Sequence, residues 1–208
     1  MDSKTWTNAL RVTIFFLLMV MVAPASAQTN FEKLRAKFDA GEVFEAEFQH
    51  TYMDSYTQET TNSEGSVWIN AVGYKLESDA QTIVVDGALS TVYDATRNRV
   101  IVSEYEAEED DFAPSRMLSD LDETYTASEQ VMENGHTLIT LKTDDDFAAF
   151  YQVEIEIDAR QKPLKITAYD IADNIIITTF NEGRFKADDG SIFELSYPED
   201  AEIIDMRY

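Results

Sequence analysis

The side chains from which covalent or metal chemistry could be built are few. The 208 residues include no cysteine, which removes thiol nucleophiles, thiolate metal sites, disulfides and lipid attachment through an N-terminal Cys. Two histidines remain, His50 and His136. A Ser-His-Asp arrangement would have to use one of them, and neither accompanies a G-x-S-x-G nucleophile turn. His50 ends an alternating strand-like segment and reads as structural. His136 follows the turn Asn134-Gly135 and reads as solvent-exposed. No i, i+4 histidine pair offers a metal site. The runs Glu108-Glu109-Asp110-Asp111 and Asp144-Asp145-Asp146 could give oxygen ligands to a hard cation such as calcium. Neither has the Gly at the sixth place or the closing Glu of an EF-hand loop, so both read as solvated acidic loops. Among 40 acids, carboxylate pairs of the glycosidase kind arise by chance, and no glycine-rich cradle for phosphate is present. The expectation is a binding protein rather than an enzyme, with no cofactor and no metal.

Charge narrows the partners. Sixteen Lys and Arg face 40 Asp and Glu, a net charge of −24, the opposite of the basic footprint that releases counterions from nucleic acid. With 44% hydrophobic and 27% charged residues the chain can bury a core, and its length suits one domain. Residues 1–27 read as a cleaved secretory signal peptide: Lys4 and Arg11, the apolar run Val12–Val22, then Ala25-Ser26-Ala27. The run is too short to span a bilayer, which takes about 20 helical residues. The mature domain would be residues 28–208, exported and soluble, with 14 basic against 39 acidic residues. Such an excess fits a salt-rich surrounding. Thermal stability should therefore rise from low to moderate ionic strength as repulsion is screened within about 10 Å; flat or falling midpoints would contradict this.

The elements that would position any site follow from periodicity. Phe31, Leu34 and Phe38 recur at helical spacing up to Gly41. The period then changes to two. Phe44, Ala46 and Phe48 alternate with Glu45, Glu47 and Gln49, and short strands are expected at 66–70, 73–78, 81–85, 88–94 and 100–105. Asp86-Gly87 signals a type I′ hairpin. The parity of Gln81–Val85 is ambiguous, since Thr82 and Val84 form the alternative face. Residues 106–113 are too acidic and irregular for a strand, and Pro114 opens a short helix carrying Met117, Leu118 and Leu121 on one side. Strands resume at 123–131, 137–143, 151–158, 164–170 and 175–180, with a last pair at 191–196 and 202–205. About eleven antiparallel strands and two short helices describe a mainly β, α+β fold, a curved sheet or open barrel around an apolar interior. Alternation by itself leaves open whether that interior is a lipid cavity or an ordinary core.

The succession of segments resembles a known family. Phe44-Glu45-Ala46-Glu47-Phe48-Gln49, Gly65-Ser66-Val67-Trp68-Ile69, Ile83-Val84-Val85-Asp86-Gly87 and Val92-Tyr93-Asp94 with Asn98-Arg99-Val100 are similar to segments of the LolA family of periplasmic lipoprotein carriers. Pro114 leading into Met117-Leu118, Pro163-Leu164 through Asp170, Asn174-Ile175, Phe193-Glu194-Leu195 with Tyr197-Pro198, and Ile203-Ile204-Asp205 continue it in order. The resemblance implies an incomplete antiparallel β-barrel lidded by helices, working in the periplasm as a monomer. It would shelter the acyl chains of outer-membrane lipoproteins received from an inner-membrane ABC transporter, and pass them to an outer-membrane acceptor such as LolB. The LolB acceptor is itself a lipoprotein, and the absence of Cys favours the soluble carrier. The acyl cavity would be lined by Phe44, Phe48, Tyr74, Leu76, Ile83, Val85 and Leu89, with Met117, Leu118 and Leu121 in the lid. A LolA-like sensor or scaffold for another amphiphile is the alternative reading, and a hydrolase the minor one. The chain departs from the family where an Arg is expected to fasten the lid, the stretch being Ile69-Asn70-Ala71-Val72. A Pro is missing from Glu77–Gln81, and Ser90-Thr91 replace an aromatic. Closure is therefore expected to rest on apolar contacts.

Overall fold

The computed structural model describes residues 28–119 and 123–207. The leader expected at 1–27 and the lid residue Leu121 lie outside them. Helix α1 (Asn30–Asp39) begins with a capping box in which Glu32 N–H donates to the Thr29 hydroxyl and Thr29 N–H to the Glu32 carboxylate. Its buried face is Phe31, Leu34 and Phe38, as the spacing predicts. Gly41, at φ +79°, turns the chain into the sheet.

Twelve strands form one open sheet: β1 (Glu42–Met53), β2 (Thr60–Ile69), β3 (Tyr74–Glu77), β4 (Gln81–Val85), β5 (Leu89–Asp94), β6 (Arg99–Glu104), β7 (Thr126–Val131), β8 (Thr137–Lys142), β9 (Phe150–Ile157), β10 (Pro163–Asp170), β11 (Ile175–Ala187) and β12 (Glu202–Asp205). Their order is β12-β6-β5-β4-β3-β2-β1-β11-β10-β9-β8-β7. The sheet is thus two meanders joined where β1 pairs with β11, and it does not close. Glu129 of the edge strand β7 accepts hydrogen bonds from the free N–H groups of Asn30 and Phe31, placing a carboxylate on the positive end of α1. At the other end of the helix, Phe38 meets Phe185 of β11 edge-on. α1 therefore ties the free edge to the middle of the sheet.

One face of the sheet holds the core. Phe44, Phe48, Ile69, Tyr74, Leu76, Val85, Ile139, Leu141, Val153, Ile155 and Ile166 are buried in a single cluster with the apolar face of α1. On β4, Tyr74↔Val85 and Leu76↔Ile83 pairing puts Ile83 and Val85 on this inner face. Val84 faces outward in a row with Glu45, Trp68 and Lys75.

Four expectations are corrected. Strand β11 runs seven residues past Phe180, because a bulge opposite Ala46 shifts the register between Glu45↔Arg184 and Glu47↔Asn181. That extra residue restores Phe185 to the inner face, against Phe44. The Asp86-Gly87 turn is wider than a type I′ hairpin: Val85 pairs with Ser90, and only Gly87 has positive φ. The Asp86 carboxylate holds it by accepting from Ala88 and Leu89 N–H. No strand forms at 191–196; this segment crosses the outer face, where Lys75 Nζ donates to the Glu194 carbonyl and Tyr197 lies beside Tyr93. It delivers β12 to β6 in a parallel pairing rather than an antiparallel one.

Candidate functional site

The link between β6 and β7 folds back over the inner face as a lid. Its first part is irregular, and the short helix expected at Pro114 forms as a 3-10 helix over Ala113–Leu118. The segment is too short to repay α-nucleation, and i→i+3 bonds such as Ser115 N–H to Phe112 O close it instead. Phe112 is the plug of this lid. Its ring sits 5.4 Å from that of Phe48, 5.2 Å from Tyr74 and 5.6 Å from His50. Leu118, wholly buried, anchors the far end.

Two carboxylates flank the plug, and one of them clamps it to the sheet. Asp110 accepts hydrogen bonds from the hydroxyls of Tyr74 (2.6 Å) and Tyr105 (2.9 Å), and its other oxygen accepts from Phe112 N–H. Burial pushes the Asp110 carboxyl above its usual range, with the hydroxyls pulling the other way. Burial also raises the Tyr74 and Tyr105 phenols. Asp111 lies 3.4 Å from His50 Nε2, and the His50 ring holds that carboxyl below the usual range. On the far side of the ring, His50 Nδ1 is 2.9 Å from the Thr178 hydroxyl. A carboxylate facing Nε2 favours the tautomer with hydrogen there, so that the Thr178 hydroxyl donates to Nδ1. The Arg116 guanidinium stacks on Tyr105. The acidic run expected to be a solvated loop thus turns the Asp110 carboxylate inward, while Asp111 stays largely exposed above His50, and closure has a polar clamp as well as apolar contacts. His50 is buried in a structural contact as read, whereas His136 is half-buried with Nδ1 2.6 Å from Glu156.

Clefts open on both sides of the lid. One of about 410 Å³ is bordered by Tyr105, Ala113, Met117 and Tyr125; the other, about 600 Å³, by Tyr52, Asp110, Asp111 and Ile176. They share the wall Phe147–Phe150, within which Phe147 is almost fully exposed. Both fall in the range of small-ligand sites.

The family model described as outer membrane lipoprotein carrier protein LolA matches residues 39–196. The chain belongs to the LolA family. Among solved structures, an uncharacterized conserved protein from Thermus thermophilus is 14% identical, with a TM-score of 0.52 over 85% of this chain and 99% of the other. A LolA superfamily protein from Nitrosomonas europaea is 9% identical at a TM-score of 0.44, over 80% and 98%. At such identity the likeness to the Thermus protein is one of fold. No match is found among curated proteins.

Within this LolA fold, the structure brings most of the sequence-derived cavity residues together. Phe44, Phe48, Tyr74, Leu76, Val85 and Leu118 are buried in one cluster, and Ile83 and Met117 pack against it half-buried. Leu89 does not join them: with Val85 opposite Ser90, alternation places Leu89 with Tyr93 on the outer side. Residues that alternation did not single out are Phe112, Asp110, Tyr105 and Tyr125. The signal available for the first was an aromatic directly behind an acidic run, which a solvated loop does not need.

The opposed carboxyls give lid closure a pH optimum. A closed lid binds the Asp110 proton more tightly than an open, solvated one, so closure strengthens as pH falls toward the ordinary carboxyl range. Asp111 contributes fully above the ordinary Asp value of about 4 and loses its contribution below it. Hydrogen-exchange protection of residues 107–119 should therefore peak in mild acid. Asp110→Asn should flatten the neutral side of the profile; a monotonic profile in the wild type would contradict the assignment.

Proposed function

We propose that the mature chain is a periplasmic carrier that shelters the acyl chains of lipoproteins beneath this lid, collecting cargo from an inner-membrane ABC transporter and delivering it to an outer-membrane acceptor. Family membership supports a lipoprotein-carrier role. The observation that carries the reading is the plug: Phe112 occupies a place on the continuous apolar face, between Phe48 and Tyr74, that an acyl chain could take once the lid moves. The need for such shelter is large, since each buried CH₂ contributes about 0.8 kcal/mol. On this reading the signal peptide at residues 1–27 takes the protein to the periplasm, Met117 and Leu118 move with the lid, and no covalent chemistry is performed.

Native mass spectrometry of the protein extracted from its own periplasm tests this. The expected spectrum shows a monomer with and without acylated cargo in a discrete stoichiometry. Cargo-free protein throughout, together with failure to take up a synthetic lipopeptide, would overturn the proposal.

A further inference from the structure

The lid leaves a distinctive set of groups behind when it lifts. Tyr74 belongs to β3, His50 to β1, and Tyr105 stays tied to the sheet through its N–H to the Ala88 carbonyl. The carboxylate that accepts from both phenols, Asp110, and the one that faces Nε2 from 3.4 Å, Asp111, belong to the lid. Opening therefore strips the two phenol hydroxyls of their acceptor and removes the carboxylate that faces the imidazole Nε2, while leaving all three groups on an otherwise apolar wall. His50 Nε2 has no hydrogen-bond partner even when the lid is closed, the Asp111 oxygen standing off at 3.4 Å, although the residue is only 4% exposed. Buried donors without acceptors are costly, so a purely hydrocarbon occupant would leave this wall unsatisfied.

We infer that Tyr74, Tyr105 and His50 form a polar subsite that receives the acyl carbonyl oxygens of the cargo, and that the lid segment Asp110-Asp111-Phe112 is a built-in stand-in for that cargo. The match is one of chemistry: an aromatic tail in the apolar face, with a carboxylate oxygen on the two phenol donors and a second carboxylate facing the imidazole. An acyl chain presents the same order, hydrocarbon first and carbonyl oxygen at its end. Either a free fatty acid or an esterified chain carries this oxygen. The inference rests on the carrier reading and specifies how that site orients what it carries.

Binding of a fluorescent polyene fatty acid, its methyl ester and the corresponding hydrocarbon to the mature protein tests it. Tyr74→Phe and His50→Leu both loosen the lid and so shift all three affinities together; the ratio of carbonyl-bearing to hydrocarbon affinity cancels that effect. Each substitution is expected to lower the ratio by roughly tenfold, the upper end for one buried hydrogen bond. A fall confined to the acid identifies free fatty acids as the source, and a fall for the ester identifies esterified chains. Tyr105→Phe gives the same readout should either variant fail to fold. Ratios equal to wild type in the folded variants would overturn the inference while leaving the carrier reading intact, and a wild type that binds none of the three probes would overturn both.

Discussion

Phe112→Ala is expected to convert the closed protein into one that binds a solvatochromic apolar probe, without loss of the sheet. Removing a buried phenylalanine costs about 3–5 kcal/mol, and here that cost falls on a short segment. The ring touches Phe48, His50 and Tyr74 of the sheet, but Phe112 itself lies outside every strand and contributes no ladder hydrogen bond. The hydroxyl bonds to Asp110 do not offset the loss, since net hydrogen bonds contribute about 1 kcal/mol each. Far-UV circular dichroism should be unchanged, probe fluorescence should rise severalfold, and the amides of 107–119 should exchange faster. Leu118→Asp should act in the same direction through the other end of the lid. Cooperative unfolding in both variants would show that this segment is part of the core and does not move as a unit.

Gly65→Ala is expected to cause the largest loss of stability of any single methyl addition in β2. A Cβ built at Gly65 lies 1.9 Å from the carbonyl oxygen of Glu77 and 3.2 Å from the Phe48 ring. A backbone oxygen held in the β2–β3 pairing cannot rotate aside, so the strands must separate. Overpacking costs about 1–3 kcal/mol when side chains can adjust, and about 3 kcal/mol or more is expected when the obstacle is main chain. For a domain of this size that is a fall of roughly 10 °C in the thermal midpoint. Gly135→Ala is the control, because its Cβ meets nothing within 4 Å and only its φ of +82° is disfavoured. A Gly65→Ala midpoint within a few degrees of that control would mean that β2 and β3 are not so closely apposed.

These two positions also mark what could and could not be read from the sequence. Where alternation is clean, as in β9 and the first half of β1, strand and face were both legible. It fails where period two is physically interrupted. The bulge at Glu182-Gly183 reverses the parity of Phe185, and β2 begins in a stretch, Thr60–Glu64, exposed on both sides, where no apolar residue marks a face. The segment 191–196 has strand-like composition but runs over the outer surface, where Lys75 donates to Glu194 and the following Tyr197 meets Tyr93. The apolar half of the candidate site was legible because it obeys the strand period. Its polar half was not: Asp110 looks like surface charge until Tyr74 arrives from β3, 36 positions earlier in the chain, and nothing local places Asp111 beside His50 of β1. Leu89 takes the outer side with Thr91 and Tyr93 because Ser90 and Val92 pair with the inward Val85 and Ile83, a pairing that its own apolar character does not reveal.

The junction of β1 with β11 has a kinetic meaning. His50 and Thr178, opposite each other there, are 128 positions apart, so the first strand to be made has an unpaired edge until nearly the last has appeared. Contacts of such separation slow folding, and an unsatisfied strand edge bearing Phe44 and Phe48 is a template for self-association. The first meander, β1 to β6, could assemble early but would wait with its apolar face open. A chain carrying 39 acidic and 14 basic side chains beyond residue 27 gives these waiting copies a strong mutual repulsion. The acidity then serves the unfinished protein as well as the finished one, holding copies apart until the two halves of the sheet have met.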